Sequence, residues 1–184
     1  FGIGSEITAT NLQHMTKMLG MSTGEAQALT TQLFTFAQQA GIGTAKVASD
    51  FAALAPELAK FGDQAGVVFR RLEYAAKTAN WSVEGIIRTA AQFDRFDTAA
   101  AAVGRLNAIL GGPYLNTVQM VMATDPTERM RLLSEATKMA GRSFDELAYY
   151  ERIALQEAMG LQSVGELALV MRGQFDQANS SVMM

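Results

Sequence analysis

The chain has 184 residues, 49% apolar and 18% charged, with a net charge of −3 and no cysteine. That length suits one domain of ordinary size, and the composition is globular rather than disordered. Disulfides, thiolate metal sites and cysteine nucleophiles are excluded, and with no basic run longer than Arg70-Arg71 nucleic-acid binding through a basic face is disfavoured.

The chain opens Phe1-Gly-Ile-Gly, which lacks the charged, apolar and small-residue order of a signal peptide. It closes Ser180-Ser-Val-Met-Met184. The expectation is an ordered part of a longer polypeptide, folded as a single all-helical domain over 1–184. No run alternates β-branched or aromatic residues with polar ones, and no Asn-Gly or Asp-Gly hairpin turn occurs. Apolar residues recur instead at helical spacing, as in Leu29, Leu33, Phe36 and Ala37, and again in Val68, Leu72, Ala75 and Ala76. The pattern predicts an all-α chain with helices near 6–19, 23–40, 44–61 (bent or broken at Pro56), 64–79 and 83–93. Further helices follow near 97–110, 117–123, 126–140, 144–159 and 164–171, and the tail 172–184 frays.

The joints between these helices share one chemistry. Gly20-Met21-Ser22, Gly41-Ile42-Gly43-Thr44, Asn80-Trp81-Ser82, Gly141-Arg142-Ser143 and Gly160-Leu161-Gln162-Ser163 each begin with a residue that tolerates the left-handed conformation. In four of the five an apolar residue follows, at the position that packs back on the last helical turn. Ser or Thr then caps the next helix. Ser22-x-x-Glu25, Ser143-x-x-Glu146 and Ser163-x-x-Glu166 complete the capping-box pattern. Asp125-Pro126-Thr127-Glu128 does the same work with Asp as cap and Pro at the first helical position. The expected caps are therefore Ser22, Thr44, Ser82, Asp125, Ser143 and Ser163. The joints lie at irregular intervals, which suits an irregular multi-helix bundle or array of about ten short helices rather than a solenoid.

The first joint also spells Gly20-Met21-Ser22-Thr23-Gly24, the G-x-S-x-G pattern of a nucleophile elbow. An elbow needs a strand before its serine, whereas residues 11–19 read as helix, and the lone histidine, His14, stands before Ser22 rather than after it. Ser22 reads as a cap.

Residues 98–124 carry one charge, Arg105, but Gly111-Gly112-Pro113 divides the run, and neither half has the ~18–20 apolar residues that cross a bilayer. Two readings stay open: two helices forming the densest part of the core around a tight turn, or a face that another copy covers. Leu106, Leu110, Tyr114, Met120 and Met122 are the candidate interaction surface. Met120, Met122 and Met130 suit either an adaptable patch or core filling. Asp94 and Asp97 stand three apart, on one face if the helix continues, without further oxygen donors at loop spacing. A multi-histidine metal site is excluded by the single histidine. Gly41-Ile-Gly43-Thr-Ala-Lys46 fails both the P-loop and the dinucleotide pattern. No catalytic, cofactor-binding or metal-binding residue is nominated.

The runs Ala102-Val-Gly-Arg-Leu-Asn-Ala-Ile-Leu-Gly-Gly-Pro-Tyr-Leu-Asn116, Ala123-Thr-Asp-Pro-Thr-Glu-Arg129, Gly141-Arg-Ser-Phe-Asp-Glu-Leu-Ala-Tyr-Tyr-Glu-Arg152 and Gly160-Leu-Gln-Ser-Val-Gly-Glu-Leu-Ala-Leu169 resemble segments of tail tape measure proteins of tailed phages. The likeness covers about 20–172, and the family has no catalytic signature. The resemblance implies a piece of a much longer virion protein that lies in the tail lumen or at the tail tip, is assembled in the host cytoplasm, sets tail length and leaves before or with the genome. It implies several copies around the tail axis, touching tail tube and tip or hub proteins. Short, capped helices depart from the family's long uninterrupted ones and point to a folded domain near one end. Two other readings are a helical domain of a wall-degrading enzyme and a cytoplasmic helical adaptor. The enzyme needs a buried acid with a raised pKa, with Glu84, Asp94 and Glu151 the residues to inspect.

Overall fold

The computed structural model describes residues 4–173 and 175. Among these the chain is all-helical, with no strand. Where one domain is expected, the contacts gather into two compact units, one reaching Tyr74 and the other starting at Ala75.

The first unit holds α1 (Ser5–Lys17), α2 (Thr23–Ala40), α3 (Thr44–Leu58), a 3-10 stretch (Ala59–Gln64) and the first turns of α4 (Ala65–Ala79). Helix α3 continues through Pro56 to Leu58. The interruption comes further on, at Gly62, whose φ of 57° and ψ of −128° are far from helical. The break expected at Pro56 thus comes instead at a glycine, the residue that adopts such a conformation most freely. Helices α1 and α2 both pack on α3, with the Asn11 side chain donating to Ala48 O at 2.9 Å. Phe51 and Phe69 meet edge to face, with centroids 5.1 Å apart. Leu29, Leu33, Val47, Leu54 and Leu58 are buried in the same unit. Helix α4 passes close to α2 at Gly66, where a Cβ would stand 2.7 Å from Leu29 Cδ1.

The second unit takes the rest of α4, then α5 (Val83–Ala91), α6 (Phe96–Leu110), α7 (Thr117–Met122) and α8 (Pro126–Met139). A 3-10 turn (Phe144–Glu146), α9 (Tyr149–Ala158) and α10 (Val164–Arg172) follow. Helix α8 packs on α5 and α10, and α9 on α6 and α10. Ile86, Phe93, Leu106, Met130, Leu133 and Leu155 are fully enclosed. Phe175 is buried, while residue 174 and residues 176–184, most of the expected frayed tail, lie outside the described residues.

The joints explain why the chain turns where it does. Gly20, Gly41, Asn80, Gly141 and Gly160 all have φ between 54° and 70°. At four joints the next N–H donates five residues back: Ile42 to Ala37 O and Trp81 to Ala76 O at 2.9 Å, Arg142 to Thr137 O and Leu161 to Gln156 O at 3.0 Å. This is the Schellman closure, which satisfies carbonyls the helix end would orphan. The first joint closes one residue wider, Met21 N–H to Met15 O.

On the entry side, Ser22 Oγ accepts from Glu25 N–H at 3.2 Å, and Glu25 Oε2 accepts from Ser22 N–H at 2.7 Å. Ser82 Oγ accepts from Gly85 N–H, and Ser163 Oγ from Glu166 N–H. Two expected caps differ. Gly43 occupies the cap position of α3, and Thr44 is its first helical residue. Ser143 heads only the 3-10 turn and makes no capping bond, because Leu147 and Ala148 turn extended and α9 starts afresh at Tyr149. There Glu151 Oε2 accepts from Ala148 N–H at 2.8 Å, so a glutamate does the work expected of Ser143 and Glu146.

Candidate functional site

The corner of the second unit where α5, α6, α7 and α8 meet carries the residues singled out as an interaction surface. It is built from caps inward. Asp125 Oδ1 accepts from Thr127 N–H at 2.9 Å and Pro126 opens α8, fixing that helix's start. The buried stripe of α8 then runs through Thr127, Met130, Leu133, Ser134 and Thr137, and Arg129 lies on it.

Arg129 is 2% exposed and spends its guanidinium on the protein itself. Nε donates to Met120 O at 3.0 Å, Nη1 to Ala90 O at 2.9 Å and to Asp94 Oδ1 at 2.5 Å, and Nη2 to Phe93 O at 3.1 Å and Val121 O at 3.2 Å. These five bonds match the five donors a guanidinium has. Four acceptors are carbonyls at the ends of α5 and α7, where helical partners run out and a cation is favoured. One buried arginine thereby clasps three helices. Sequence reasoning missed it; the available signal was a lone arginine on the apolar face of the helix that Asp125 starts.

The turn between α6 and α7 is held by a second side chain. Asn107 Nδ2 donates to Leu115 O, and Leu115 N–H donates to Asn107 Oδ1, both at 2.9 Å. Asn116 Oδ1 then caps α7 by accepting from Gln119 N–H at 3.0 Å.

The proposed interaction surface is largely corrected by this packing. Leu106, Leu110 and Met120 are core residues, at most 6% exposed, and Met130 is core as well. Tyr114 is half-buried, and of the five only Met122 is open, at 74%. One helical turn before it, Val118 is also exposed, and so is Phe96 at the start of α6. Because Phe93 and Val121 share Arg129 Nη2, the segments carrying Phe96 and Met122 converge on one clasp.

The acids have other employment. Helix α5 stops at Ala91 and α6 starts at Phe96, so Asp94 and Asp97 do not share a helix face. Asp94 serves Arg129, and Asp97 pairs with the exposed Arg95 at 3.1 Å. Glu84 is exposed. The Ala148 N–H holds the Glu151 carboxyl below its ordinary range, with Arg142 helping, the reverse of the raised pKa an acid catalyst needs. Among the described residues no three His, Asp or Glu side chains gather as a metal site, and no helix is long and apolar enough to cross a membrane. With every Arg129 donor used internally, the corner can hold shape and present Val118 and Met122.

No family model, no curated protein and no solved structure matches this chain.

Proposed function

We propose that the chain is a folded helical segment of a phage tail tape measure protein, a non-enzymatic virion component acting in tail assembly, length determination and genome delivery. The observation that carries this reading is the resemblance of four segments, 102–116, 123–129, 141–152 and 160–169, to that family. In this chain those segments supply the Asn107 clamp, the Arg129 clasp, the Glu151 cap and the Ser163 cap. Resemblance concentrated on residues that hold a shape, with Asp94 and Glu151 both tied up, supports a structural role over catalysis. Under this reading several copies surround the tail axis. The exposed Val118 and Met122 then fall where a neighbouring copy or a tube, tip or hub protein is met.

The test is mass spectrometry of purified tailed particles before and after triggered ejection. Peptides of this chain are expected at several copies per intact particle and depleted from emptied ones. Their absence from intact particles refutes the proposal.

A further inference from the structure

Helices α1, α2 and α3 of the first unit leave between them a small cavity of about 10 Å³, whose walls include Thr8, Asn11, Met15, Thr30, Leu33 and Ala48. That is room for about one water molecule and nothing larger. Asn11 is 6% exposed, and its Nδ2 donates to Ala48 O at 2.9 Å. Its Oδ1 is buried as well, and among the described residues no group donates to it. A buried amide oxygen without a donor carries its full desolvation cost, so such atoms are met in folded chains by protein or by ordered water.

The other polar atoms of the lining narrow what the occupant can be. Thr30 Oγ1 gives its proton to Ala26 O at 2.8 Å, nearer than Met15 Sδ at 3.7 Å, and keeps a lone pair for a further bond. Thr8 Oγ1 gives its proton to Gly4 O at 3.3 Å. The lining therefore offers acceptors, and its occupant must donate. A cation is disfavoured, because no ionisable side chain lines the cavity to balance it. We infer that one water molecule is bound here, donating to Asn11 Oδ1 and to Thr30 Oγ1. It joins α1 to α2 at the point where Asn11 Nδ2 already joins α1 to α3. The inference is independent of the tape measure reading.

The experiment is a high-resolution crystal structure of the full chain, paired with oxygen-17 relaxation dispersion of water, which counts long-lived internal waters in solution. The density should show one solvent peak within about 3.0 Å of both Asn11 Oδ1 and Thr30 Oγ1. In solution Asn11→Leu and Thr30→Val should each lower the dispersion amplitude by about one water, since a buried water needs two or more polar partners. Thr31→Val is the control. Thr31 Oγ1 makes the same kind of bond, to Gln27 O at 3.1 Å, but lies outside the cavity lining, so its loss should leave the amplitude unchanged. An empty cavity in the density, a protein donor on Asn11 Oδ1, or an amplitude that either lining variant leaves unchanged overturns the inference. If a lining variant fails to fold, the density of the native chain decides alone.

Discussion

Arg129 and Asp94 stand 35 positions apart in sequence and 2.5 Å apart in space, and that contact closes the corner between α5, α7 and α8. The arginine is enclosed while 40% of the aspartate side chain remains accessible, so the two partners are unequal in weight. Removing Arg129 takes one donor away from each of four helix-end carbonyls and from the Asp94 carboxylate. Arg129→Met is expected to destabilise the second unit by about 3 kcal/mol or more. Asp94→Asn, screened by solvent, should lose only about 1–2 kcal/mol. Urea unfolding followed by the emission of Trp81, the chain's one tryptophan, reads both. Equal losses would show that the pair, rather than the carbonyl clasp, carries the corner.

Ser22 and Ser143 look alike in sequence and differ in structure. Ser22→Ala breaks a reciprocal capping box and should destabilise the first unit by about 1 kcal/mol. Ser143→Ala removes no capping bond and should stay within about 0.5 kcal/mol. Thermal melts of the two variants, side by side, check the contrast.

Asn107→Asp keeps the side chain's size but replaces the amide that donates to Leu115 O with an acceptor. A half-buried clamp that loses one bond and gains a repulsive contact should become about 1–3 kcal/mol less stable. Hydrogen exchange at Leu115 should rise with it, and unchanged exchange there would remove the clamp from the account.

Gly85 lies under Trp81, and a Cβ there would stand 2.4 Å from the indole Nε1. Gly85→Ala must therefore displace the ring that seals the Asn80 joint, a change of the overpacking kind worth about 1–3 kcal/mol. A red-shifted Trp81 emission together with a lower melting temperature is the expected signature.

Glu25 and Glu151 each accept a backbone N–H at a helix start, and both carboxyls are held below the ordinary 4.5 chiefly by that bond. A depressed folded-state pKa contributes stability above the unfolded value that disappears as pH falls through the folded one. Melting temperature should therefore decline as the solution is taken from about pH 5 towards pH 3, and the Glu25→Gln, Glu151→Gln double variant should show a shallower decline. An identical slope in the variant would assign the acid sensitivity to other carboxylates.

What was legible beforehand is what is written locally. Asn80-Trp81-Ser82 carries within three residues the left-handed turn, the apolar return and the next cap, so the joint can be read without knowing the fold. The same logic misled at Ser143, because whether a serine starts an α-helix depends on what Leu147 and Ala148 do four residues on. At Leu106, Leu110 and Met120 it left core and interaction surface both open, and burial decides for core. Scarcity of charge tells that a segment avoids water, but whether its own chain or another covers it is decided by distant packing. The break at Gly62 rather than Pro56 has a similar origin, since a proline near a helix end disturbs little and a glycine free to leave the helix disturbs more. Arg129 was only half legible: its place on the apolar face of α8 is a local signal, but its partners lie 8 to 39 positions away, beyond any local pattern.

The central claim concerns the size and location of the polypeptide to which these helices belong. The most direct measurement is the apparent mass of the native chain in purified particles, on a denaturing gel probed with an antibody raised to residues 126–145. The account predicts a band several times larger than 19.8 kDa, present in particles with tails. A band near 20 kDa, or none in the particles, would contradict it.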